Sequence, residues 1–138
     1  MERAIITSEA FLRRPSDEAT EDDLPVAADL MDTLAAHADS CVGMAANMIG
    51  VAKRIIVFHD ETTGRNMTMF NPVVTAKSGR HETEEGCLSL RGVRPAVRYG
   101  RITVTYRTRR WREATATFDG FTAEIIQHEI DHCDGILI

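Results

Sequence analysis

The sequence predicts an α+β fold in which antiparallel strands pack around a C-terminal helix, with one further helix towards the N-terminus. Three observations carry this expectation. Short alternating apolar segments follow one another through the middle of the chain without helical patterns between them, which excludes a parallel βαβ sheet. A helical period runs through residues 121–133, and another through residues 22–38. At 138 residues and 15.4 kDa the chain is sized for a single domain spanning residues 1–138. Hydrophobic residues make up 43% and charged residues 27%, ordinary globular usage that argues against a disordered or coiled-coil chain. A net charge of −5 repels phosphate backbones unless the basic residues cluster, so nucleic acid is a poor first expectation. Apolar runs such as Arg54–Phe58 fall far short of the roughly 20 residues of a membrane helix, and the N-terminus lacks the pattern of a secretory signal. A cytoplasmic protein is expected, with Cys41, Cys87 and Cys133 kept reduced.

Residues 1–20 are mixed and polar, with a turn at Pro15–Ser16, and read as an extended arm. Thr20 followed by Asp23 resembles a capping box, and Pro25 suits a first helical turn. Leu24, Ala27, Met31, Leu34 and Ala38 then recur at helical spacing. Residues 40–50 mix small and apolar side chains between glycines, the composition of a buried segment. Strands are expected at 55–59, 67–70, 102–106 and 114–118. Asp119-Gly120 breaks the pattern and opens the last helix, on which Phe121, Ile125, Ile126, Ile130 and Cys133 cover a wide arc. That helix is therefore mostly embedded.

On it, His128-Glu129-Ile130-Asp131-His132 sets two histidines on one face, one turn apart, with a carboxylate beside them. Shuffling this composition yields roughly 0.014 matches to HExxH, so the pattern carries information. Two imidazoles on one face can hold a divalent metal, and the adjacent carboxylate can take a proton from water. A hydrolytic site of this kind needs a third protein ligand. Only six residues follow His132, so that ligand is sought upstream, among Cys41, Cys87, His59, His81 and several carboxylates.

Glu85-Gly-Cys-Leu-Ser89, Gln127-His-Glu-Ile-Asp-His132 and the small-residue run Gly43-Met-Ala-Ala46 together resemble the three motifs of the peptide deformylase family. The Glu85–Ser89 and Gln127–His132 runs match the family's second and third motifs at every fixed position, the Gly43 run aligns with its first, and the resemblance extends over about residues 20–138. It implies one divalent metal ion per chain, Fe2+ or else Zn2+, Ni2+ or Co2+, held by Cys87, His128 and His132. It further implies Glu129 as general base and the Leu88 backbone N–H as donor to the oxyanion. Gly43, Met44 and Ala45 would run beside the substrate backbone, and an apolar pocket including Ile125 would take a methionine side chain. The implied reaction removes the formyl group from nascent peptides that begin with formyl-methionine, as they meet the enzyme at the ribosome. No membrane partner and no direct nucleic-acid site are implied.

The first motif departs from the family at Met48, where a glutamine amide is expected to donate to the oxyanion. A thioether cannot donate, and loss of one such donor costs roughly 10²–10³ in turnover in other hydrolases. Neighbouring Asn47 should point the other way in an extended run. The expectation is a deformylase of reduced activity. The alternative is a deformylase-like metal-binding protein that binds N-terminal peptides or hydrolyses a different acyl-amide. Cys41 and Cys133 are expected to be packing residues, and His37, His59 and His81 to make polar contacts. Arg94 and Arg98 either meet the substrate's distal end or a carboxylate such as Asp131, or are simply solvated.

Overall fold

The computed structural model describes all residues, 1–138. Its centre is β2 (Ile55–Asp60), whose Ile-Ile-Val-Phe stretch is buried on both faces. Because successive strand side chains point to opposite faces, Ile55 and Val57 meet one apolar cluster and Ile56 and Phe58 meet another. The first cluster is closed by Ala27, Leu30 and Leu34 of α2 (Leu24–Ala36). The second is closed by Ala123, Ile125, Ile126 and Cys133 of α3 (Gly120–Cys133). A continuous apolar run is what a strand covered on both sides requires. At roughly 1.5–3 kcal/mol for each large side chain fully buried, these two layers supply most of the drive to fold.

Five strands form one antiparallel sheet in the order β1-β2-β3-β4-β5. They are β1 (Gly43–Ala45), β2, β3 (Arg65–Cys87), β4 (Leu90–Arg107) and β5 (Glu113–Asp119). The fold class matches the sequence expectation: an antiparallel sheet with a C-terminal helix packed on it. β1 lies at the edge, pairing Gly43 with Phe58 and Ala45 with Ile56.

Several boundaries differ from expectation. β3 and β4 form one long hairpin, whereas the sequence suggests only its distal ends, 67–70 and 102–106. Between them the two strands expose many charged residues and are broken by register shifts near Asn71, Thr75 and Gly86. Neither a two-residue period nor a buried run survives there. The N-terminal arm holds a short helix, α1 (Glu9–Leu12), capped by the Ser8 hydroxyl, which accepts from the Phe11 N–H at 3.3 Å. The expected 22–38 helix is a 3₁₀ turn, Glu21–Asp23, continuing into α2. Asp23 does accept the Thr20 N–H at 2.8 Å, as a capping residue should.

Helix α3 ends in a tight left-handed turn. The Ile136 N–H donates to the Asp131 carbonyl at 3.0 Å, and the Gly135 N–H to that of His132 at 3.1 Å, with Gly135 at φ +78°. A Cβ at Gly135 would lie 2.3 Å from the Arg13 carbonyl oxygen. This turn fixes the end of the helix that carries both histidines. Gly135→Ala is therefore expected to lower unfolding free energy by at least about 1–2 kcal/mol, from the left-handed backbone alone. Urea denaturation checks this; an unchanged midpoint would show that the turn relaxes at no cost.

Candidate active site

His128 and His132 project from the same side of α3, and their Nε2 atoms lie 3.0 Å apart. Cys87, at the end of β3, completes a cluster in which the thiol and the two ring nitrogens all fall within 4.8 Å of one another. A tetrahedral metal with bonds of about 2.0–2.1 Å to nitrogen sets two such nitrogens about 3.3 Å apart, so the spacing suits a first-row ion. The donor chemistry suits it as well, since thiolate and neutral imidazole bind several divalent metals. Two buried polar atoms beside the cluster, His132 Nδ1 and Glu129 Oε1, have no protein partner.

Glu85 sets the orientation of His128. Its Oε1 accepts from His128 Nδ1 at 2.8 Å, which turns Nε2 towards the cluster. Arg98 on β4 donates to the same carboxylate through Nε at 2.9 Å and Nη2 at 2.7 Å, and through Nη1 to Asp131 at 2.7 Å. Arg98 is only 4% exposed. Of the options open for it in the sequence, contact with Asp131 is the one realised, and Glu85 is a further partner. Next to it on β4, Tyr99 pairs with Gln127 of α3. The Tyr99 N–H donates to the side-chain oxygen at 2.8 Å, and Nε2 returns a bond to the Tyr99 carbonyl at 2.7 Å. Two consecutive β4 residues thus tie the hairpin to the helix.

Protonation of these side chains follows from their contacts. Burial pushes the Glu85 carboxyl up, but the His128 and Arg98 donors outweigh it and hold it down at about 2. For His128 burial works downward and is outweighed by its bonds to Cys87 and Glu85, leaving it at about 10. His132 is driven down to about 3 by burial and by the neighbouring His128 charge. Burial raises Glu129 to about 7, which poises a carboxylate for proton transfer near neutral pH. Burial also lifts Cys41 to about 11 and Cys133 to about 12, so both are inert thiols.

A cleft of about 220 Å³ opens onto the cluster. Gly43, Leu88, Ile125, Cys87, His128 and Glu129 line it, together with Val42, Glu84, Glu85, Gly86, Phe121 and Glu124. His132 is fully buried behind this wall. At Gly43 strand and helix come so close that a Cβ would lie 2.6 Å from Ile125 Cγ2 and 2.9 Å from Glu129 Oε2.

Three residues expected at the substrate do not line the cleft. Met44 and Met48 are buried in the α2-side cluster and Ala45 in the α3-side one. The backbone turns into a 3₁₀ segment at Ala46–Ile49, which carries Met48 into the core instead of along an extended path. Met48 thus belongs to the apolar cluster against which Cys87 and Leu88 pack. Asn47 is committed elsewhere, its Nδ2 donating to the His132 carbonyl at 2.9 Å. His37, His59 and His81 make the polar contacts expected of them, with Thr33, Asn66 and Gly79. Arg94 bonds its own hairpin at the Arg91 carbonyl.

Fold and site together define a protein of the HExxH class whose Cys–His–His cluster could hold a metal ion. The chain belongs to the polypeptide deformylase family, whose sequence model matches residues 3–138, and it is a hydrolase that removes N-formyl groups. It is 50% identical to the peptide deformylase of Clostridium beijerinckii over 139 residues, covering all of both chains. Other peptide deformylases align with it over 55% to 80% of their own lengths. Among solved structures, a peptide deformylase from Legionella pneumophila superposes with a TM-score of 0.87 at 33% identity, covering 99% of this chain and 83% of that one. A class I type b peptide deformylase from Acinetobacter baumannii, bound to Met-Ala-Ser, superposes with a TM-score of 0.86 at 26% identity, covering 99% and 97%.

Glu85→Gln keeps the shape of the His128 partner but removes its charge. Metal affinity measured by chelator competition should fall roughly 10- to 100-fold, the usual effect of losing an outer-shell partner. Wild-type affinity in this variant would mean that Glu85 does not orient His128.

Proposed function

We propose that Cys87, His128 and His132 hold one divalent metal ion, and that Glu129 is the general base for removing the formyl group from peptides beginning with formyl-methionine. The observation that carries this is the Glu129 carboxylate, 4% exposed, with an unpartnered oxygen, on the wall of a cleft that also reaches the Cys–His–His cluster. A metal in that cluster supplies a positive centre that polarises a carbonyl and eases deprotonation of water. Fe2+ is the proposed ion, with Zn2+, Ni2+ or Co2+ able to take the same donors.

The protein groups divide the remaining work. The edge of β1 at Gly43–Ala45 has no strand on its outer side, so a peptide can add there by main-chain hydrogen bonds. Met44 and Ala45 would take part through their backbone, since their side chains are in the core. Val42, Phe121 and Ile125 offer apolar surface for a methionine side chain. The Met-Ala-Ser peptide in the Acinetobacter baumannii structure supports a peptide starting with methionine as the occupant. Water adds to the formyl carbon while Glu129 takes its proton. The Leu88 N–H, on a residue that lines the cleft, donates to no protein group and would donate to the developing oxyanion. When the C–N bond breaks, Glu129 passes the proton to the amine nitrogen, and formate and a free amino terminus leave.

Met48 contributes packing here, and the oxyanion relies on Leu88. The three free thiols favour a reducing compartment, and we place the enzyme in the cytoplasm, meeting its substrates as they emerge from the ribosome. No helix is long and apolar enough to cross a membrane.

Two variants test the assignment. Glu129→Gln is expected to retain one metal per chain while turnover of a formyl-Met tripeptide falls roughly 10²- to 10⁴-fold; undiminished hydrolysis would remove Glu129 from the role. Cys87→Ala is expected to lose metal on dialysis, read by elemental analysis, and full retention would point to another ligand.

A further inference from the structure

The turn between β4 and β5 concentrates positive charge that the fold does not neutralise. Arg107, Arg109, Arg110 and Arg112 fall within six residues that contain no acid, and all four are exposed. With +4 in this turn and −5 overall, the rest of the chain carries −9. Four arginines elsewhere are paired with carboxylates, Arg3 with Asp29, Arg54 with Asp134, Arg98 with Glu85 and Asp131, and Arg101 with Asp119, and the other unpaired ones, Arg13, Arg14, Arg65, Arg80, Arg91 and Arg94, occur at most two to a six-residue stretch. None of the four turn arginines has such a partner within 4.0 Å, although Glu113 follows them directly in sequence.

The turn is also built to stay in place. Thr108 Oγ1 accepts from the backbone N–H groups of Arg110 and Arg112, both at 3.3 Å. The Thr108 N–H donates to the Arg112 carbonyl at 2.9 Å and the Trp111 N–H to the Thr108 carbonyl at 2.8 Å. Trp111 adopts φ +59°, a costly conformation for a bulky residue. Its ring packs edge-on against Phe70 of the core, with centroids 5.1 Å apart. Arg107 Nη1 adds a bond to the Trp111 carbonyl at 3.3 Å. The one aromatic ring of the turn is thus an anchor, and the guanidiniums are what the turn presents to solvent.

We infer that this turn is a contact for the phosphate backbone of RNA. Guanidinium matches phosphate by paired N–H donors and is held here on an ordered hairpin end. The net negative charge on the remainder of the chain weakens attraction elsewhere and favours approach to a polyanion through this turn. RNA fits better than an anionic membrane, because Trp111 is turned into the core and no apolar side chain is left at the tip to insert into lipid. The inference is independent of the catalytic assignment.

The test is binding of the purified protein to a labelled ribosomal RNA fragment across a salt series. For three phosphate contacts, affinity should fall roughly 20- to 40-fold between about 50 and 200 mM monovalent salt. Arg109→Ala/Arg110→Ala/Arg112→Ala should weaken binding at least about 10-fold at the lower salt and flatten the salt slope by about 2 to 3. The same three positions changed to Lys should keep most of the affinity. Turnover of a free formylated tripeptide by both variants stays at the wild-type level, which shows fold and site intact. Absence of wild-type binding at the lower salt, equal binding by the alanine variant, or tighter binding to phosphatidylglycerol vesicles than to RNA would each overturn the inference.

Discussion

Arg98 is the point at which sheet and helix are held to one another. It is buried, donates to Glu85 two residues before the cysteine, and reaches Asp131 one residue before the second histidine. Removing one partner from a buried ion network typically costs about 3–5 kcal/mol, because the other charges are left unpaired. The same bonds set the position of Cys87 relative to α3, so the geometry of the cluster inherits the stiffness of the network. Gln127 reinforces this one residue along β4 by mimicking a strand partner for Tyr99.

The second constraint is the close approach of β1 to α3. β2 carries β1 on its free edge, and α3 packs across both through Ala45, Ile56 and Ile125. With Gly43 against Ile125 and Glu129, the carboxylate becomes part of the interior while one of its oxygens stays unbonded. Burial without a partner is costly for a carboxylate, and its raised pKa expresses that cost in a form useful to proton transfer. The tight packing of the core and the raised pKa of Glu129 thus share one origin.

The helix-borne half of the site was legible in the sequence because its information is local. Two histidines and a glutamate at helical spacing, on a helix with a wide apolar arc, can be read without any knowledge of tertiary structure. The network around them was less legible. Glu85 sits in the motif with Cys87, and strand alternation hints that they share a side, but its histidine partner is 43 positions away. Arg98 is joined to Glu85 across a hairpin whose register no local pattern fixes, so solvation was an equally good reading of it. Met48 shows the opposite difficulty. Its alignment with a family motif suggests a side chain beside the substrate, whereas the 3₁₀ turn that starts at Ala46 sends it into the α2-side core. The long hairpin was hidden by its own exposure: charged residues, Pro72, Pro95 and several glycines look like loop until main-chain pairing is seen.

The wall of the cleft at Gly43 is made of backbone, since there is no room for any side chain between strand and helix. A molecule that occupies the cleft and bonds to the β1 main chain would read groups that every amino acid possesses. Escape from such a molecule by a single substitution at that wall is blocked twice over: the peptide groups cannot be exchanged, and a larger residue at 43 would push on Ile125 and Glu129. Adaptation would have to come from other positions around the opening, at Val42, Glu84, Phe121 or Glu124, where side chains border it.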